Sequence, residues 1–110
     1  MSDIIVKETD GGRTFDVRSG DRIQICLEEI GGTAYGWKVT AANPSVVSYD
    51  EAADRYSPVL SGAIGGTSVR TMIFKAIGAG TTVIQLQLAN RYAPLDVAKQ
   101  LDINVLVSES

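Results

Sequence analysis

The side chains that come nearest to chemistry in this chain are the adjacent carboxylates Glu28 and Glu29 and the acidic set Asp50, Glu51 and Asp54. Acid–base catalysis needs two carboxyl groups turned toward one substrate. Adjacent residues of an extended segment point to opposite faces, so Glu28 and Glu29 do not form a shared site. Calcium takes carboxylate oxygens, but Asp50, Glu51 and Asp54 lack the spacing and glycine of an EF-hand loop and read as a solvated acidic turn. There is no histidine and one cysteine, Cys26. Those counts remove Ser-His-Asp and Cys-His catalysis, histidine and cysteine metal sites, and any disulfide within the chain. Cys26 itself has no evident base and reads as a small, half-covered strand residue. The chain is therefore not expected to be an enzyme or to carry a cofactor or metal.

What remains is the chemistry of contact. The stretch Glu28–Trp37 holds Gly31, Gly32 and Gly36 with Thr33, Ala34 and Tyr35 between them, and a second glycine-rich stretch runs Gly62-Ala63-Ile64-Gly65-Gly66-Thr67. Glycine lets a main chain approach another surface closely. Arg91 and Tyr92 are residue types enriched at interface hot spots. Each has a plainer reading as well: a loop between strands, a turn, a solvated arginine. Trp37, heading an alternating run, reads as a core anchor, and Tyr35 fits either under the loop or against a partner.

These residues need elements to hold them. The 110 residues suit one domain, 1–110, with a modest core, and a 45 % hydrophobic share with 21 % charged residues is that of an ordered globular chain. Ten basic against thirteen acidic side chains leave −3, which argues against a nucleic-acid partner. No apolar run reaches the roughly 20 residues of a membrane span, so no membrane partner is expected. No signal-peptide pattern opens the chain, so it is either made without an export signal or numbered after removal of one.

Alternation gives the strands. Ile4–Lys7 is the first, followed by a turn at Asp10-Gly11-Gly12, a short extended piece Arg13–Val17 and a turn at Ser19-Gly20-Asp21. Arg22–Leu27 turns Ile23, Ile25 and Leu27 one way; Trp37–Ala41 turns Trp37, Val39 and Ala41 one way. Asn43-Pro44 breaks the chain before a strand Ser45–Tyr49. Asp50–Ser68 has no convincing strand, and Asp50–Tyr56 is the nearest candidate for a helical turn. Val69–Ile77, Thr81–Ala89 and Leu101–Val107 complete the set, with Met72, Phe74 and Ala76, then Ile84, Leu86 and Leu88, then Leu101, Ile103, Val105 and Val107 inward. Asn90–Ala98 is a loop. The expected fold is all-β, an immunoglobulin-like sandwich of two antiparallel sheets. Connections in such a sandwich alternate between its ends, which gathers the three long loops at one of them.

At those loops the chain resembles the chagasin-like inhibitors of papain-type cysteine peptidases. Their first loop carries Asn-Pro-Thr-Thr-Gly-Tyr/Phe-x-Trp. Its counterpart here is Ile30–Trp37, in which Thr33, Tyr35 and Trp37 match while the asparagine, proline, first threonine and glycine do not. The second loop's glycine-rich signature is matched by Gly62 to Thr67. Of the third loop's Arg-Pro-Trp, Arg91 remains, with Tyr92 as the adjacent aromatic and Pro94 displaced. The resemblance implies a reversible inhibitor that blocks the cleft of a papain-family cysteine peptidase with three loops. It places partner contacts at Gly31, Gly32, Thr33, Ala34, Tyr35, Gly62, Gly65, Gly66, Thr67, Arg91 and Tyr92. Such a protein is expected to be a monomer when free. The competing reading is a non-inhibitory bacterial immunoglobulin-like binding or spacer module, whose style Asn43-Pro44-Ser45-Val46-Val47 and Gly78-Ala79-Gly80-Thr81-Thr82 also fit.

Overall fold

The computed structural model describes residues 3–30, 34–58, 67–93 and 95–109. They form strands β1 (Asp3–Lys7), β2 (Thr14–Arg18), β3 (Arg22–Ile30), β4 (Tyr35–Ala41), β5 (Val47–Pro58), β6 (Thr67–Ala76), β7 (Gly80–Asn90) and β8 (Val97–Ser108). One sheet has the order β1-β3-β6-β5 and the other β2-β8-β7-β4. The all-β sandwich is as expected, with one difference at the margins. Each sheet is antiparallel through its interior, but β1 pairs with β3 and β2 with β8 in parallel. Successive strands reverse direction as the chain passes between the ends, so strands an even number apart run the same way. Where two such strands become neighbours, the pairing is parallel.

The inward series pack as their alternation requires. Ile23, Ile25, Leu27, Met72, Phe74, Ala76, Ile84, Leu86, Leu101, Ile103, Val105 and Val107 are buried, and Leu88 and Val39 pack partly buried against them. Ala41 departs from the expectation and is exposed. A bulge between Val39 and Ala41 shifts the β4 register and turns Ala41 outward.

Several boundaries also move. β3 and β4 run beyond Leu27 and before Trp37, so Glu28, Glu29, Tyr35 and Gly36 belong to strands. Asp50–Tyr56 is not helical: it lies in β5, which pairs with β6 from Val47↔Ala76 to Pro58↔Ser68 with a break in register between Asp50 and Arg55. β5 is an edge strand with a bulge between Asp50 and Arg55, so its exposed polar residues keep strand geometry through pairing rather than burial. Ser45 sits in a turn, and β8 starts at Val97.

The end away from the loops is sealed by the main chain. Ile77 N–H donates to Val46 O at 2.9 Å, and Asn43 N–H to Thr82 Oγ1 at 2.8 Å. Gly78 lies so close to this turn that a Cβ would meet Ser45 O at 2.4 Å. At the opposite end β3, β5 and β7 finish and β4, β6 and β8 begin, with Ile30 across from Thr67, Pro58 from Ser68 and Asn90 from Tyr35.

Candidate functional site

The loop end is built outward from one side chain. Glu29 continues the inward series Ile23, Ile25 and Leu27 and is 6 % exposed. An unpaired carboxylate there would carry a large desolvation cost. Its Oε2 accepts from Trp37 N–H at 2.8 Å and from Arg70 Nη1 at 3.3 Å, and its Oε1 accepts from Arg91 Nη2 at 3.2 Å. Arg70 holds the matching inward position on β6, in series with Met72, Phe74 and Ala76. It donates to the Trp37 carbonyl and, through Nη2 at 2.7 Å and Nε at 3.2 Å, to Asp54 Oδ2. Tyr49 OH donates to the same oxygen at 2.6 Å. Asp54 is therefore not part of a solvated turn, as its neighbours suggested, but an anchor for Arg70.

Two acids thus face two arginines, with Glu29, Asp54 and Arg70 largely inside the sandwich and Arg91 reaching in from the exposed rim. Burial works to lower the Arg70 pKa, but its hydrogen bond to Asp54 and the fields of Tyr56, Asp54 and Tyr49 outweigh it and raise the value. Burial, then the bond to Asp54, pushes the Tyr49 phenol up.

Trp37 is buried, and its Nε1 donates to Glu28 O at 3.0 Å. β4 is an edge strand with β7 on one side only. The Trp37 N–H and C=O on the open side are taken by Glu29 and Arg70 of the facing sheet, so side chains close an edge that no strand covers.

The third loop is fastened to the first. Arg91 N–H donates to Ala34 O at 2.8 Å, and its guanidinium lies over Gly36, where a Cβ would sit 2.6 Å from Nε and from Nη2. Only glycine leaves that space. Asn90 Oδ1 accepts from Tyr92 N–H at 2.9 Å and Ala93 N–H at 3.2 Å, and Asn90 N–H donates to Asp96 O at 2.9 Å. Tyr35 OH donates to Asp96 Oδ2 at 2.5 Å, a bond that raises the Tyr35 pKa. From this braced loop Tyr92 and Leu95 stand out, 89 % and 99 % exposed.

Of the residues singled out in the sequence, Ala34, Tyr35, Arg91 and Tyr92 come together here. Thr67 begins β6 and pairs with Ile30, the last residue of β3. Gly31, Gly32, Thr33, Gly62, Gly65 and Gly66 lie outside the described residues. Arg70, Asn90, Asp96 and Leu95 were not singled out, and Glu29 and Gly36 were named only as an unlikely catalytic carboxylate and as one glycine of the first stretch. Strand parity carries the signal for Glu29 and Arg70: each continues an apolar series with a charge. Leu95 is a large apolar residue in a polar loop, a weaker sign.

Residues 16–105 match the chagasin family peptidase inhibitor I42. The chain belongs to this family. The resemblance read at its loops is thereby borne out, and the family is one of inhibitors, not enzymes. Among solved structures, the cysteine protease inhibitor EhICP2 from Entamoeba histolytica is similar with a TM-score of 0.85 at 24 % identity, over 98 % of this chain and 97 % of that one. Amebosin follows at 0.77 and 18 %, over 96 % and 97 %, and PbICP-C, solved in complex with falcipain-2, at 0.68 and 17 %, over 96 % and 89 %. At these identities the likeness speaks to the fold. No curated protein sequence matches the chain.

Proposed function

We propose that this chagasin-family protein reversibly inhibits papain-type cysteine peptidases by laying its three loops across the active-site cleft. The observation that carries the reading is the bracing of the first and third loops into one unit that presents Tyr92 and Leu95 to solvent. A rigid apolar projection loses little conformational freedom on contact, so more of its burial appears as affinity. The contact surface comprises Gly31, Gly32, Thr33, Ala34 and Tyr35 of the first loop, Gly62, Gly65, Gly66 and Thr67 of the second, and Arg91 and Tyr92 of the third, with Leu95 added. Blocking is steric: the loops fill the cleft without offering a peptide bond in a cleavable geometry. Three loops are enough to cover about 800 Å² on each partner, the usual size of a specific interface.

Titration of the purified protein against a panel of papain-type peptidases tests this, with loss of peptide hydrolysis as the readout. At least one enzyme should be inhibited, and Leu95→Ala should weaken that inhibition about tenfold while the melting temperature stays put. A panel left wholly active would overturn the inhibitor reading and favour a spacer module. Unchanged inhibition by Leu95→Ala would remove Leu95 from the contact surface.

A further inference from the structure

The roots of all three loops meet at a single carboxylate. Glu29 stands on β3 directly before the first loop. Through Arg70 it holds β6 just after the second, and through Arg91 it holds the third. Its remaining contact, from Trp37 N–H, fixes β4 just after the first loop. We infer that Glu29 is a positioning residue for inhibition: it touches no peptidase but sets the three loops relative to one another before a partner arrives. The inference rests on the inhibitor reading and deepens it.

The physical case is one of geometry and dielectric. Among the strand-to-strand pairings, none joins β3 or β6 to β4 or β7, since those pairs lie in opposite sheets. The apolar core between the sheets is held by forces that are not directional, and the Trp37 Nε1 bond to Glu28 O is one further polar link between them at this end. Hydrogen bonds are directional and charge-assisted ones are strong; the Arg70 bond to Glu29 is shielded from solvent, whereas the Arg91 bond is shielded on the Glu29 side only. Glu29 and its two arginines therefore supply what the core does not, a fixed offset between the sheets at the end where the offset decides how the loops line up. Arg91 is the exposed arm of this tie, with 55 % of its side chain accessible, and Gly36 is the seat that lets it reach inward.

Glu29→Gln and Arg91→Met test the tie from its two sides. Glu29→Gln should inhibit a sensitive papain-type peptidase about tenfold less well through lost pre-organisation, and Arg91→Met should lose at least as much, since it also removes a contact side chain. The double variant should be no weaker than the weaker single one, because both substitutions cut the same link. Amide exchange at Arg91 N–H should speed up in each, while Ile84 and Leu86 in the core stay protected. If Glu29→Gln does not fold, amide exchange at position 91 in Arg91→Met decides, since inhibition by that variant would also fall through a lost peptidase contact. A folded variant with wild-type inhibition and unchanged exchange at Arg91 overturns the inference. So does a loss of core protection matching the loss at Arg91, which would make Glu29 merely structural. Should the parent inhibit nothing, the inhibitor reading falls, and exchange at Arg91 still shows whether the tie orders the third loop.

Discussion

Trp37 and Gly36 sit next to each other on β4 and answer opposite needs. Trp37 turns its ring into the core at 3 % exposure and donates from Nε1 to Glu28 O, so truncation removes both packing and a hydrogen bond. Trp37→Ala should cost about 3–5 kcal/mol of stability, read from the urea midpoint; an unmoved midpoint would mean that the ring carries no core load. Gly36 faces the other way and makes room for Arg91. In Gly36→Ala the atoms met by the new Cβ belong to the end of a flexible side chain, so the guanidinium moves aside and the fold survives. Stability should fall by no more than about 1 kcal/mol, whereas inhibition should weaken because Arg91 loses its route to Glu29. Equal losses in both would show that Gly36 serves the fold alone. At this scale the core was legible, because alternation names inward residues directly. Glu29 was not, since a charge in the apolar series reads as the end of a strand unless a partner such as Arg70 is seen on the neighbouring strand.

Strands and loops were legible in proportion to how much of each faces the core. β3, β6, β7 and β8 carry long apolar series and were found, though with shortened ends, because end residues such as Glu28 of β3 or Val97 of β8 pair without being buried. β5 was half missed: beyond Asp50 it is an exposed edge held by its ladder to β6. The clustering of loops at one end followed from strand order alone, but the bracing within it did not, since Tyr35–Asp96 and Arg91–Ala34 join residues distant in the chain. The tyrosine ties have an alkaline signature. Tyr35 is raised above the ordinary value of 10.0 chiefly by its bond to Asp96, and Tyr49 is raised by burial and then by Asp54. A folded-state pKa above the unfolded one means that the stabilisation is complete below about pH 10 and is lost as pH rises through the folded value. Absorbance titration of Tyr35→Phe and Tyr49→Phe beside the parent should each remove an ionisation step lying above pH 10. A missing step at or below that value would show that the phenol is free in solution.

Across the whole molecule the two ends have different work, and β1 offers a way to separate them. The family match begins at residue 16, yet β1 lies before it and is part of the sandwich. Val6 is fully buried, Ile4 packs against the core, and the parallel ladder from Asp3↔Arg22 to Lys7↔Cys26 covers the outer edge of β3. That ladder stops at Cys26, short of Glu29, so β1 supports the middle of the sandwich without reaching the loop roots. Val6→Ala removes two buried methyl groups, and at about 0.8 kcal/mol each plus a share of cavity cost it should lower stability by about 2 kcal/mol. Removing residues 1–7 should do more, since it also bares the β3 edge and invites association between copies. The folded fraction of Val6→Ala should inhibit a sensitive peptidase as well as the parent does, once concentrations are corrected for unfolded protein. An unchanged urea midpoint would make β1 a dispensable fringe. A folded Val6→Ala with weakened inhibition would instead mean that strain in the middle of the sandwich travels to the loops, and that Glu29 and its arginines do not insulate them.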